Sequence, residues 1–335
     1  MVNVGVIGYG YWGPNLVRNF SRVPGATLSK IADLYPKRRD LAQKLYPQVR
    51  MVAEAGEVIN DPLIDCVVLA TPILTHYQLA KKALLAGKHV LVEKSLTASY
   101  KEAQELQELA QKKKLVLMVD HTFLYSSAVH RIKKMVDSGE LGRIQYLDST
   151  RINLGKIKND ISVIWDLMAH DAAITAYLVG EKPISVNATG ISHTRYQADN
   201  IAYLTLKYRS GLIAHFTSSW ISPVKVRTML IGGDKKMIVY DDVEPTEKIK
   251  VYDSGYVIHD SEEKDKVMVQ YRTGDIYVPS IDPTEALFTM AQDFVGSIVK
   301  GKQPVSCGKM GVEVVRVLEA AIKSARSGGK EIPLK

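Results

Sequence analysis

Asp166 and His170 stand four residues apart in VIWDLMAHDAAITAYLVG, a segment that is otherwise apolar. On a helix that spacing puts both side chains on one face. A carboxylate and an imidazole in such a setting must be paired or hydrogen-bonded, because burying them bare is costly. Two accounts fit these residues taken alone. They could satisfy each other in a core, or the face could border a reaction site. In the second case Asp166 orients or tunes His170, which exchanges a proton with a substrate hydroxyl. Another reactive pair, Glu93 and Lys94, ends the apolar run HVLVEK. Ligands of an open parallel sheet bind beyond the carboxyl ends of its strands. Lys94 is therefore either a salt-bridged strand-end residue or a donor aimed at substrate.

A third pattern concerns phosphate. Gly8-x-Gly10-x-x-Gly13 follows the apolar run VNVGVI and precedes a segment opened by Pro14. Between a strand and a helix, such glycines allow a tight turn, close approach of a pyrophosphate, and close helix–strand packing. Asp33 follows 20 residues after Gly13, at the end of the next strand pattern. A carboxylate there accepts ribose hydroxyls and repels a 2′-phosphate, which favours NAD over NADP. Lys37, Arg38 and Arg39 come next; Arg38 could neutralise a 2′-phosphate, which leaves NADP as the lesser expectation. His76, His121, His130 and His170 lack close ligand spacing, so no metal is expected.

The elements that must position these groups follow from patterning. Up to about residue 120, apolar strand runs alternate with helical stretches, which implies a parallel sheet covered on both faces. Ser99 and Glu102 have capping-box spacing before one of these helices, and Gly87 is a plausible stop for another. A helix over 162–179 is expected around Asp166 and His170. From 184 to about 280 strand patterns dominate, separated by turn signals such as Arg209-Ser210-Gly211, and two helices close the chain. Residues 241–275 are charged and weakly patterned and are expected to form hairpins and loops. The expected fold is α/β: a doubly wound Rossmann sheet over 1–122, then an α+β substrate domain over 123–335 with a large, mainly antiparallel sheet.

The net charge is +8, but the basic residues are scattered and the longest lysine run is Lys112–Lys114. That argues against nucleic acid and suits a small anionic substrate. No apolar run is long enough for a membrane span, and no signal peptide is visible. With only two cysteines, Cys66 and Cys307, a reducing cytoplasmic setting is expected.

Three segments, GVIGYGYWGPNLVRNF, ATPILTHYQLAKKALLAGKHVLVEKSLT and WDLMAHD, occur in the order and spacing of the Gfo/Idh/MocA oxidoreductases, and the chain resembles that family over nearly its whole length. The resemblance implies a Rossmann domain followed by an α/β domain with an open antiparallel sheet that mediates homodimers or homotetramers. It implies a C-terminal helix packed back on the Rossmann domain. It implies that Gly8, Gly10 and Gly13, with Tyr11 and Trp12, hold the NAD pyrophosphate and that Asp33 holds the ribose. Thr71, Pro72 and His76, with Glu93 and Lys94, would border the nicotinamide half. Lys94, Asp166 and His170 would be catalytic. Ser95 departs from the family's proline after the lysine, and Asp120 stands where small residues are common.

GYWGPNLVRNF, HTFLYSSAVHRIKKMVDSGELG, RINLGKIKND and WDLMAHD further resemble sugar-nucleotide 3-dehydrogenases, which oxidise the C3 hydroxyl of UDP-N-acetylglucosamine or its uronic acid. On that likeness Arg151, Asn153 and Lys156 would lie near the substrate, as would Lys94 and His170. Arg151 would suit a diphosphate or carboxylate. Other readings are an inositol or free-sugar dehydrogenase, an NAD-assisted glycosidase, and a non-enzymatic NAD-binding sensor.

Overall fold

Apolar runs bounded by glycine and proline make strands that can be buried on both faces without alternation. In the computed structural model, which describes residues 1–155, 157–158, 161–195, 198–259 and 268–334, they form β1 (Val2–Ile7), β2 (Ala26–Ala32), β3 (Arg50–Val52), β4 (Cys66–Leu69), β5 (His89–Glu93) and β6 (Leu117–Asp120). These strands are parallel, in the order β3-β2-β1-β4-β5-β6. The strand order reverses between β1 and β4, which places the ligand crevice of such a sheet there. The crossovers are α1 (Gly13–Phe20), α2 (Pro36–Leu45), α3 (Ala55–Ile59), α4 (Ile73–Leu85) and α5 (Tyr100–Lys113). Pro14 and Pro36 lie in the first turns of α1 and α2, where a missing N–H costs nothing. The Ser99 hydroxyl caps α5 by accepting the Glu102 N–H at 3.3 Å.

The chain divides into two units. The first comprises Met1–Ser126 and Thr284–Glu319. In the returning segment, Phe294 meets Phe20 edge-on at 6.2 Å, and Arg18 holds Glu285 through two bonds of 2.9 and 2.6 Å. The Ser306 hydroxyl donates to the Val119 carbonyl at 2.7 Å, and Cys307 bridges Met118. These contacts cover the free edge of β6, which would otherwise expose unpaired main-chain groups.

The second unit comprises Ser127–Pro283 and Ala320–Lys335. It opens with α6 (Ser127–Asp137) and β7 (Ile144–Leu154), followed by a π-helical turn at Ile164–Met168 and α7 (Ala169–Val179). The strands β8 (Ser185–Ile191), β9 (Ile201–Lys207), β10 (Ile213–Ser219), β11 (Ile221–Gly233), β12 (Met237–Asp241) and β13 (Ile249–Tyr252) come next. A separate hairpin of β14 (Gly255–His259) and β15 (Met268–Arg272) precedes β16 (Ile276–Tyr277). After α8 (Ala286–Lys300) and α9 (Gly308–Arg326), β17 (Ile332–Pro333) completes a nine-stranded sheet ordered β16-β13-β12-β11-β7-β10-β9-β8-β17. Only β10 and β7 pair in parallel; the other neighbours in that sheet are antiparallel. In β9 and β10, Ala202, Leu204, Leu206, Ala214 and Phe216 point inward, while Tyr203 and Ile213 point out. That alternation is expected of a sheet with one covered face.

Candidate active site

The glycine turn after β1 shows why each glycine is needed. Gly8 has φ +99°, and a Cβ there would lie 2.5 Å from the Ala70 carbonyl oxygen. A Cβ on Gly13 would lie 2.2 Å from the Gly8 carbonyl oxygen. Both positions are closed to larger residues by the fold itself. Gly10 differs: its nearest neighbour is Arg38 Nη1 at 3.5 Å. A Cβ there would touch only the end of a flexible side chain, so the fold does not itself demand glycine; a pyrophosphate approaching the first turn of α1 would need the room. Tyr11 is 95% exposed beside it.

Asp33 is buried at the end of the next strand. Its carboxylate accepts the Tyr9 N–H at 2.7 Å and the Tyr35 N–H at 2.9 Å. Oδ1, which accepts the Tyr35 N–H, still has a lone pair for a ribose hydroxyl. Arg38 lies over the Tyr35 ring at 4.5 Å with its guanidinium 3.5 Å from Asp33. Arg39 instead donates to the carbonyls of Asp33 and Leu34 at 2.7 and 3.1 Å. The loop, the helix N-terminus and the buried carboxylate together fit NAD.

At the other side of the crevice, Lys94 is half-buried just beyond β5, and its peptide bond to Ser95 is cis. His76 is 1% exposed, with ring nitrogens 2.9 Å from the Ser95 carbonyl and 2.8 Å from the Thr71 carbonyl. It ties the chain after β4 to the chain after β5. Burial pushes its pKa below the usual histidine range, while the two carbonyls act in the opposite sense. Thr71 accepts the Thr75 hydroxyl at 2.7 Å, and Pro72 is exposed at the start of α4. Glu93 faces Asp120 in the β5–β6 register. Asp120 is buried and accepts the Trp12 indole N–H at 2.8 Å and the Thr122 hydroxyl. Burial raises its pKa, opposed by those donors and by Lys94. His121 is lowered to about 3, first by burial and then by the Lys94 charge.

In the second unit the Asp166/His170 segment departs from the regular helix expected. Asp166 lies in the π-helical turn and His170 in the first turn of α7. Such turns add a residue to the backbone repeat and recur at functional sites. Asp166 accepts Lys158 Nζ at 2.7 Å and the Trp220 indole N–H at 3.2 Å. The Trp220 main-chain carbonyl accepts the Gly155 N–H at 2.7 Å, and a Cβ on Gly155 would meet Asn153 Nδ2 at 2.9 Å and the Trp220 ring at 3.0 Å. Glycine thus lets the main chain just after β7 lie against Trp220.

Arg151 corrects an expectation. Its guanidinium is 6% exposed and is committed to Asp171, with Nε at 3.1 Å and Nη2 at 3.0 Å from Oδ1. Asp171, fully buried, also accepts the Ser149 hydroxyl at 3.0 Å. Ser149 and Arg151 alternate onto one face of β7, and the first turn of α7 is fastened to that face. Arg151 therefore serves the fold rather than a diphosphate. Asn153 is half-buried near the end of β7, and Lys156 lies outside the described residues. Sequence reasoning missed Lys158, Trp220 and Asp171. Asp171 did carry a signal, since a carboxylate next to His170 on an apolar helix needs a cation. Among the described residues no group of three or more His, Cys, Asp or Glu side chains could hold a metal.

Comparison with known proteins places these features. The model of the Gfo/Idh/MocA oxidoreductase family with an NAD-binding Rossmann fold matches residues 2–121, and the C-terminal domain of the same family matches 129–239. UDP-N-acetylglucosamine 3-dehydrogenase of Acidithiobacillus ferrooxidans is 28% identical over 96% of both chains. The NAD(+)-dependent scyllo-inositol 2-dehydrogenase of Bacillus subtilis is 30% identical over 71% of this chain and 72% of its own. Among solved structures, levoglucosan dehydrogenase in complex with NADH superposes with a TM-score of 0.84 at 21% identity, covering 100% of this chain and 99% of the other.

Two outcomes follow from the geometry. Gly10→Ala is expected to leave the thermal unfolding midpoint unchanged while weakening NADH binding about tenfold or more, because the added methyl enters ligand space; titration calorimetry reads this. Asp171→Asn leaves Arg151 buried without its counter-charge and is expected to destabilise by about 3–5 kcal/mol, read from urea unfolding.

Proposed function

The chain belongs to the Gfo/Idh/MocA oxidoreductases and is an NAD-dependent enzyme, and from that premise we propose that it oxidises the C3 hydroxyl of a UDP-N-acetylhexosamine or its uronic acid to a ketone. The observation carrying the substrate class is the full-length likeness to a UDP-N-acetylglucosamine 3-dehydrogenase. Such a ketone is the usual prelude to amination in building cell-surface saccharides. The two free thiols support a reducing cytoplasmic setting.

NAD, when bound, supplies the hydride acceptor. The residues assigned to the proton are Lys94, beyond the carboxyl end of β5, and His170, in the first turn of α7. A general base raises electron density on the hydroxyl oxygen as the C–H bond weakens. Asp166 supports His170, and Lys158 with Trp220 fixes the Asp166 carboxylate. Gly8, Gly10, Tyr11, Trp12, Gly13 and Asp33 are assigned to the cofactor, together with Thr71, Pro72 and Glu93. His76 acts there by holding the main chain on either side.

A second reading, inositol oxidation, is favoured by the 30% identical inositol dehydrogenase. The outer face of the second unit's sheet carries Tyr146, Tyr203 and Ile213 at 40%, 49% and 47% exposed. We assign that apolar surface to a homodimer or homotetramer contact.

NADH absorbance with UDP-N-acetylglucosamine, its uronic acid and myo-inositol, with hydroxylamine trapping ketone, is expected to rise with a UDP-sugar alone; a rise with myo-inositol alone selects the second reading. Lys94→Ala and His170→Ala are each expected to cut turnover at least about 100-fold with NAD affinity nearly intact; equal loss of NAD binding would defeat their assignment to the proton. Light scattering after size exclusion is expected to give two or four copies, and a monomer at micromolar concentration would contradict the sheet contact.

A further inference from the structure

Helix α1 begins with an unsuitable residue. The position before its first turn favours Ser, Thr, Asp or Asn, whose oxygens accept free helix N–H groups. Trp12 stands there and makes no side-chain cap, since an indole can only donate. Its N–H donates instead to Asp120 Oδ2 at 2.8 Å, 108 residues along the chain. The bond joins the loop after β1 to the end of β6, strands three places apart in the sheet.

The same stretch is otherwise held at its two ends, by the Tyr9 N–H on Asp33 and by Gly13 seated on the Gly8 carbonyl. Between those ends Tyr11 is 95% exposed, and a Cβ on Gly10 would meet the Arg38 guanidinium at 3.5 Å. Asp120 is by contrast 2% exposed at a strand end, with its other oxygen taken by Thr122. It is a buried acceptor for the half-buried Trp12 indole, and a buried carboxylate left without such donors is costly.

We propose that Asp120 is a positioning residue for the cofactor: by holding the Trp12 indole it fixes the glycine loop and the first turn of α1 in the geometry that receives the NAD pyrophosphate. The effect is preorganisation. A loop held before binding loses less conformational freedom when the pyrophosphate arrives. The requirement is for an acceptor rather than a charge, so the amide oxygen of asparagine can replace the carboxylate.

Calorimetric titration with NADH, which needs no knowledge of the sugar, tests this. Trp12→Phe keeps the ring and removes the donor; Asp120→Ala removes the acceptor. Each is expected to weaken NADH binding about tenfold, and the double variant no more than either single one, because one bond is lost in all three. Asp120→Asn is expected to bind within about twofold of the parent. Amide exchange without NADH is expected to quicken at residues 9–14 in Trp12→Phe and Asp120→Ala, and not in Asp120→Asn. Undiminished NADH binding by Trp12→Phe would overturn the proposal. So would Asp120→Asn as weak as Asp120→Ala, or exchange quickened throughout the unit in Trp12→Phe.

Discussion

The contact on which the cofactor site depends is the seating of Gly13 on the carbonyl of Gly8, where any side chain would sit 2.2 Å from that oxygen. This close approach starts α1 directly above the end of β1 and presents its free N–H groups toward the crevice. The surrounding features follow from that placement. Asp33 gathers the main chain of Tyr9 and Tyr35, so the end proposed for the ribose is shaped before a ligand arrives. His76 links the segments after β4 and β5, and thereby the approach to Lys94.

The second unit solves a different problem, that of keeping ionic groups inside an apolar body. Asp171 and Arg151 are both buried, and their ion pair, with the Ser149 hydroxyl on Asp171, offsets the cost of burying the two charges. Their bond fixes the start of α7, which carries His170. Asp166 is held one turn earlier by Lys158 and the Trp220 indole. The apolar segment with an aspartate and a histidine is thus a helix whose first turn is pinned at two acidic residues. Those pins leave His170 on a rigid support, as the proton-transfer role proposed for it would require.

What could be read in the sequence was what is local. The glycines, the strand-end Asp33 and Lys94, and the Ser99 cap are defined by neighbours within a few residues, and the structure places each of them at the position expected. Long-range pairs were not legible. Arg151 looked like a ligand for phosphate because nothing in RINLG announces Asp171 on a later helix. The π-helical turn has no compositional mark separating it from an α-helix. β3 and α3 are too short to give a period. The charged stretch 241–275, expected to form hairpins and loops, does hold the hairpin of β14 and β15; its weak pattern did not announce that β13 joins the large sheet between β12 and β16.

The central claim is that hydride leaves a sugar carbon for NAD held by the glycine loop. The direct measurement is mass spectrometry of the reduced cofactor after incubation with NAD and UDP-N-acetylglucosamine, or its uronic acid, deuterated only at C3. The account predicts NADH carrying one deuterium and a rate slowed by the isotope. Reduced cofactor without deuterium would contradict the C3 assignment, and a sugar altered with no reduced cofactor formed would contradict net oxidation.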